Sequence, residues 1–566
     1  MHFAFQFTAV CLLGFQIASA QTEVRSLIYS GNYQNGAFDS LTFVNPVVGW
    51  DLFFNSGFRG GSTVIGNIEA GYVWSGHEAF IREPGALNGI TNFDSTAPGA
   101  LDQLDFHATM VGHVLVGSGY TPDNGGAFTY VGLGMAPEAA LISGAVAVGF
   151  SDTEVGSFST TQESVVSVYR AFFQGDGVAK PDVINSSWGG GDPSASSAES
   201  LAIDALARQN STVAFVVSAG NGGTEVVSAP ASGFNNISVG SLGGTDFLQP
   251  SEFSSRGVAD FFNPVSGETL TGVRSAVDIA APGERMFLAA YLGNQGGIAA
   301  SIPDIVEQPS PTDQYFLNMD GTSFAAPIVA GGVALLKDAA NTLLVGNLEA
   351  MDTRVIKSVM MAGSRATAGW DNGQNATNET TQALDARSGA GALDLVAAAD
   401  VFYFGTTGDP ATGIKAMGWD SSTVNLGANF EYVFASGFSK SMAVTVALNW
   451  FSVRDFDANT GNGSDVAFSN LDLEVWSVDS SGQFLARVGE SNSIYNNTEF
   501  LRIDSLDAGR YGFRVLFDSK VFDMTNAVTE ETFGLAWRAV PIPEPASAML
   551  AALGGLWILL RRRRTA

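Results

Sequence analysis

Cysteine, histidine and basic side chains are what this chain of 566 residues has least of: one Cys, four His, and 27 Lys and Arg. Cys11 lies in an apolar N-terminal stretch, so no disulfide framework staples the rest of the chain. The 27 basic residues stand against 56 acidic ones, a formal charge of −29. That balance argues against nucleic acid as a partner, because a polyanion is repelled and releases no counterions on binding. An acidic surface of this kind chiefly confers solubility. No HExxH or other metal-ligand spacing is present, and cysteine ligands are lacking. Charged residues of all kinds reach 15% while hydrophobic ones reach 46%, with 66 glycines and 19 prolines dispersed. This composition describes a loop-rich globular protein rather than a disordered one. The length exceeds one ordinary core and predicts two folded domains with terminal signals. No internal repeat or low-complexity tract interrupts it.

Both ends are apolar. Phe3 to Phe15 is followed by Ala18-Ser19-Ala20, the small-residue pattern of a secretory signal cleaved after Ala20, although the segment before it has His2 and no Lys or Arg. At the other end Pro543-Glu544-Pro545 precedes an apolar run from Ala546 to Leu560 and then Arg561 to Arg564. The run is short for a permanent span of about 20 residues, and four arginines would hold its end in the cytoplasm. A plain tail anchor has the same apolar-then-basic order. With Pro-Glu-Pro in front, the segment resembles the PEP-CTERM sorting signal of Gram-negative bacteria. The resemblance implies an exosortase-type processing enzyme as partner, membrane contact at the C-terminus before processing, and a place on the cell envelope surface or outside the cell.

From about Gly57 to Phe404 short β-branched runs alternate with longer helical stretches, the pattern of an α/β domain with a mostly parallel sheet. Ser62 to Ile68, Asp182 to Ile184 and Thr212 to Val217 read as buried strands. Ala108 to Val116, Ser197 to Gln209, Phe324 to Asn341 and Asn347 to Ala362 read as helices. Ser364 to Thr381 reads as a loop and Ala390 to Val401 as a closing helix. Ligands of such sheets lie beyond the carboxyl ends of the strands. From about Gly405 to Val540 the texture changes to short alternating segments such as Val444 to Trp450, Leu471 to Trp476 and Tyr511 to Leu516. Separated by Asp, Asn, Gly and Ser turns, they predict an all-β sandwich.

Chemistry is concentrated in three places. Gly321-Thr-Ser-Phe-Ala-Ala-Pro327 puts Ser323 at the mouth of an apolar helix, where the dipole favours developing negative charge but a general base must still remove the proton. Pro327 falls in the first turn of that helix, where a missing N–H costs little. A serine N-cap has the same sequence appearance. His107, in Asp105-Phe-His-Ala-Thr-Met-Val-Gly112, also opens a helix, and an imidazole, titrating in general near neutral pH, is the usual partner for such a serine. His2 lies in the signal, while His77 and His113 read as packing or surface residues. Asn221, in Ser218-Ala-Gly-Asn-Gly-Gly223, follows a strand, and its side-chain amide can donate to an oxyanion beside the Ser323 N–H. Asn-Gly is also a common turn pair.

In order along the chain, these segments resemble the subtilisin family of serine peptidases. The likeness also takes in Gly134-Met-Ala-Pro137, Val183-Ile-Asn-Ser-Ser-Trp-Gly-Gly190, Ala229-Pro-Ala231, Phe253-Ser-Ser-Arg-Gly257 and Ala281-Pro-Gly283. It implies Ser323 as nucleophile, His107 as its base and Asn221 at the oxyanion. It further implies an extended peptide pairing along Ser187, Trp188 and Gly189, with Gly220 lining the primary specificity pocket. No cofactor is required by this reading, and structural calcium is compatible with it; the substrates are proteins or peptides.

Two features depart from the family pattern. Ile68-Glu69-Ala70-Gly71 carries Glu69 where the family has Asp. Glutamate can accept the imidazole N–H, its extra methylene being accommodated by a local backbone shift; Asp105 and Asp94 are the substitutes. Gln21 to Arg59 is also too short for the usual inhibitory propeptide. Gly283 to Leu317 reads as an inserted surface loop. The expected layout is a signal peptide over 1–20 and a subtilisin-like three-layer domain over 21–404, with its core at about 57–404. A β-sandwich over 405–540 and a sorting signal with a short transmembrane helix over 541–566 complete it. The expected activity is that of an exported serine endopeptidase, with a catalytically silent surface or matrix-binding protein as the alternative.

Overall fold

The computed structural model describes residues 25–542 apart from 27–28, 31–32, 35–36, 39–41, 83–88, 123–127, 152–153, 155, 294–295, 298–304, 308–313, 374–382 and 404–412. The signal peptide expected over 1–20 and all but the first two residues of the sorting signal expected over 541–566 therefore lie outside the described residues.

The central sheet is built from β1 (Val64–Glu69), β2 (Ile90–Phe93), β3 (Ala140–Ala145), β4 (Val183–Ser186), β5 (Ala214–Ser218), β6 (Ile237–Gly243), β7 (Gln249–Pro250) and β8 (Ile279–Pro282). Their order is β7-β6-β5-β4-β1-β3-β2, with β8 also on β6; every pairing is parallel except β6 with β7. The inner strands are apolar on both faces because both are covered. On one side pack α1 (Phe106–Val116) and α4 (Thr322–Leu343), on the other α2 (Gln162–Gln174) and α3 (Ala198–Gln209). Gly331 lets α4 approach closely, since a Cβ there would stand 2.2 Å from that of Met135. Thr322–Leu343 is the one helix among the described residues long and apolar enough to cross a membrane, and it is buried in this core.

Several elements differ from the sequence expectation. The helix expected over Asn347 to Ala362 is broken: a 3-10 turn, Glu349–Met351, precedes α5 (Thr353–Gly363), and Asp352 caps α5 by accepting from Arg354 N. The closing helix is α6 (Leu395–Tyr403), because Ala392 is still extended and bridges Ala280 and Arg365. The stretch expected as an inserted loop is an antiparallel sheet of Met286–Ala290, Ile305–Glu307 and Gln314–Met319. Its alternation places Leu288 and Phe316 in the core. Tyr29–Ser30 extends that sheet. The following helices, Val44–Val47 and Trp50–Asn55, bury Val44, Trp50 and Phe53.

The C-terminal region is two antiparallel sheets. One contains β9 (Met417–Asn425), β11 (Met442–Trp450), β15 (Thr498–Leu506) and β17 (Glu530–Pro541), in the order β9-β17-β11-β15. The other contains β10 (Asn429–Val433), β12 (Val453–Asp457), β13 (Asn462–Val478), β14 (Phe484–Ser491) and β16 (Tyr511–Asp523), in the order β10-β16-β13-β12 with β14 also on β13. Leu473, Val475, Phe513 and Trp537 fill the space between them. The first sheet lies on α5 and α6, and β12 and β13 lie on α3. The junction is specific: Arg454, with its side chain 4% exposed, pairs with Asp204 at 2.8 Å and Asp465 at 2.9 Å.

Candidate active site

The carboxyl ends of β1, β4 and β5 meet the amino ends of α1 and α4. Glu69 is the last residue of β1 and is fully buried. Beyond it, Tyr72 N donates to Gln103 O and Asp105 N to Tyr72 O, both at 2.8 Å, which brings the start of α1 alongside. A Cβ at Gly71 would stand 2.5 Å from Gln103 O, so this approach requires glycine. Asp105 caps α1 by accepting from Ala108 N at 2.9 Å. Gly297, between two strands of the inserted sheet, adds a second tie, its carbonyl accepting from Phe106 N at 3.1 Å.

His107 is thereby held with Nδ1 3.1 Å from Glu69 Oε2, while Glu69 Oε1 accepts from Ser187 N at 2.8 Å. The imidazole keeps 27% of its surface exposed. Burial opposes its protonation, but the hydrogen bond and charge of Glu69, with the charge of Asp105, outweigh it and raise the His107 pKa above its ordinary value. Asp105 is pushed up to about 6, chiefly by burial. Asp94 is exposed and stands by the Tyr72 hydroxyl. Of the three acids weighed from sequence, Glu69 is the one bonded to His107.

Ser323 is the second residue of α4, and its hydroxyl donates to Ser187 O at 3.2 Å. Pro327 sits further into the helix than its sequence position suggested. Four residues past Ser323, its missing N–H leaves the Ser323 carbonyl without its helical donor, and the Ser187 hydroxyl fills that role at 2.9 Å. Asn221 follows β5. Its Oδ1 accepts from Thr322 N and from Thr322 Oγ1, each at 2.9 Å, and the Thr322 hydroxyl accepts from Gly220 N at 3.1 Å. The Asn221 side-chain oxygen is thereby committed to Thr322. Thr322 is a site residue that sequence reasoning passed over; its signal was its place between Gly321 and Ser323.

All eight residues singled out in the sequence, Glu69, His107, Ser187, Trp188, Gly189, Gly220, Asn221 and Ser323, line one cavity of about 240 Å³. A second cavity, of about 670 Å³, shares Trp188 and Gly189 with it and reaches Asp192 and Glu199. His77 and His113 are structural. His77 Nδ1 accepts from Ala79 N at 3.0 Å and His113 Nδ1 from Ala289 N at 2.9 Å, both rings being buried. Among the described residues no group of three or more His, Cys, Asp or Glu is placed to hold a metal.

The Subtilase family (Peptidase_S8) matches residues 83–391, more than half of the chain. Among solved structures, the prenylagaramide maturation protease PagA is similar at 20% identity with a TM-score of 0.42, covering 62% of this chain and 98% of that one. The self-cleaved protease domain of PatA is similar at 21% identity with a TM-score of 0.40, covering 60% and 97% respectively. No curated protein sequence matches. By the extent of the family match, the chain belongs to the subtilase family of serine peptidases.

Proposed function

We propose that the chain is an exported serine endopeptidase in which Ser323 is the nucleophile, His107 the general base, and Glu69 the acid that orients His107. The observation that carries the reading is the bond from His107 Nδ1 to Glu69 Oε2, with the other carboxylate oxygen held by Ser187 N. A proton fixed on Nδ1 leaves Nε2 as the basic nitrogen, and the buried carboxylate stabilises the imidazolium that forms. Ser323 Oγ then exchanges its bond to Ser187 O for one to Nε2 and attacks the peptide carbonyl, His107 taking its proton. Apo hydrogen bonds of this kind commonly tighten on substrate binding. The Asn221 NH₂ and the Ser323 N–H receive the oxyanion. Collapse breaks the C–N bond, His107 returns the proton to the leaving amine, and water hydrolyses the acyl-enzyme by the same base.

Substrates are extended proteins or peptides lying along Ser187, Trp188 and Gly189, with Gly220 lining the primary pocket. Export and envelope location rest on the segments over 1–20 and 541–566, the latter implying exosortase-type processing and transient membrane attachment. No cofactor enters the chemistry.

Fluorophosphonate labelling of the purified protein at neutral pH tests the reading. Labelling that is lost in Ser323→Ala and His107→Ala and weakened in Glu69→Ala supports it. A folded wild type that takes no label and cleaves no peptide points instead to the silent surface protein.

A further inference from the structure

The larger of the two cavities holds a carboxylate with no hydrogen-bond donor among the described residues. That cavity, of about 670 Å³, joins the catalytic one where Trp188 and Gly189 line both. It is open because the chain leaving Trp188 lacks side chains: a Cβ at Gly190 or Gly191 would meet nothing within 4 Å. Phe158 also lines both cavities, its ring standing edge-on to that of Trp188 with centroids 6.0 Å apart.

Two acids line this cavity, and they differ in what holds them. Asp192 commits both oxygens to the turn that opens α3: Oδ1 accepts from Ser196 N at 3.0 Å, and Oδ2 from Ser197 N at 2.8 Å and from the Ser200 hydroxyl at 2.6 Å. Glu199, the second residue of α3, is half-buried, and neither a donor nor a basic side chain engages it among the described residues. No Lys, Arg or His lines the cavity. Burial, and then the charge of Asp192, push the Glu199 carboxyl up to about 7. A cation arriving beside Glu199 offsets both effects, since it pairs with the carboxylate and removes the cost of burying it alone.

On the peptidase reading, the acyl side of a substrate runs from the primary pocket at Gly220 along Ser187, Trp188 and Gly189 as an added strand. Beyond Gly189 that path reaches the second cavity. A side chain entering it from a residue upstream of the cleaved bond finds aromatic walls and one unengaged carboxylate. Arginine suits both, because its planar guanidinium stacks on aromatic faces and pairs with a carboxylate through two parallel hydrogen bonds, whereas the Lys ammonium is a point charge.

We propose that the cavity beside Trp188 selects substrates with an arginine upstream of the cleaved bond, and that Glu199 is the residue that pairs with it. The proposal rests on the peptidase reading and adds a substrate class to it: proteins and peptides carrying a basic side chain on the acyl side. Glu199 meets the substrate away from the reacting atoms, so it governs the choice of substrate and not the chemical step.

The test profiles cleavage of a proteome-derived peptide library by the full-length protein, with products read by mass spectrometry, and then compares matched peptides that differ only in Arg or Gln at the upstream position found. Wild type should favour Arg over Gln there by at least about tenfold in kcat/KM, with Lys between them. In Glu199→Gln that ratio should fall to about one. Glu199→Lys should favour Glu over Arg at the same position, an inversion that misfolding does not produce. Cleavage by wild type without an upstream preference for Arg, or a preference that persists in Glu199→Gln, overturns the proposal and leaves the peptidase reading standing. A folded wild type that cleaves no peptide overturns the peptidase reading, and this proposal with it.

Discussion

Ser187 and Ser323 exchange two hydrogen bonds: the Ser187 hydroxyl donates to the Ser323 carbonyl at 2.9 Å, and the Ser323 hydroxyl donates to the Ser187 carbonyl at 3.2 Å. Because Ser187 N also holds Glu69 Oε1, one residue fixes both the buried carboxylate and the helix turn that carries Ser323. Ser187→Ala strips the donor from a buried carbonyl that Pro327 has already deprived of its helical partner. It should destabilise the protein by about 1–3 kcal/mol and lower kcat more than it raises KM. Denaturant unfolding together with peptide hydrolysis reads both effects.

Glu69 raises the His107 pKa, and only neutral imidazole can serve as base. Activity should therefore rise with pH through a midpoint above the ordinary histidine value. In Glu69→Gln that limb should move to lower pH while the plateau of kcat/KM falls by roughly 10²–10⁴, since the amide no longer stabilises the imidazolium. A pH profile in which the limb stays in place would remove Glu69 from the triad.

The Asn221 side-chain oxygen is committed to Thr322, which in the proposed mechanism leaves the NH₂ for the oxyanion. Asn221→Ala should lower kcat by about 10²–10³ with KM little changed, the mark of an interaction made in the transition state. Thr322→Val releases that oxygen from one of its two donors and should give a smaller loss of the same kind. Steady-state kinetics on the pair distinguishes positioning from direct contact.

Arg454 on β12 joins the sandwich to the α/β half through Asp204 of α3, and pairs as well with Asp465 beside it on β13. Arg454→Met leaves two carboxylates buried together and should cost about 3–5 kcal/mol of stability. Removing the sandwich altogether uncovers the faces of α5 and α6, so the peptidase half alone should be poorly soluble. Thermal unfolding of the variant and the soluble yield of the truncated chain test this.

Two sandwich carboxyls couple stability to pH. Burial pushes Glu531 up to about 7 and Asp420 up to about 6, against ordinary values of 4.5 and 3.8. Between those limits the folded state binds more protons than the unfolded one, so stability should fall as pH rises from about 4 to about 7. Glu531→Gln with Asp420→Asn should flatten that dependence, as unfolding midpoints across the range would show.

The linear chain determined a good deal of this molecule by itself. Hydrophobic period distinguished an α/β half from an all-β half, and turn and cap residues marked where Ser323, His107 and Asn221 stand at element ends. These are local properties, set by neighbours within a turn or a strand. Tertiary structure decided what local pattern could not. Asp105 is nearer to His107 in sequence than Glu69, yet it spends its carboxylate on the cap of α1, while Glu69 arrives from β1 to bond Nδ1. Ser187 reaches Glu69 across 118 residues and Ser323 across 136. The stretch expected as a surface loop became a sheet, because Leu288 and Phe316 find a core to enter only once α1 is in place. Period and capping are written in short range; partners for a buried carboxylate or an orphaned carbonyl exist only when distant strands and helices have closed around them.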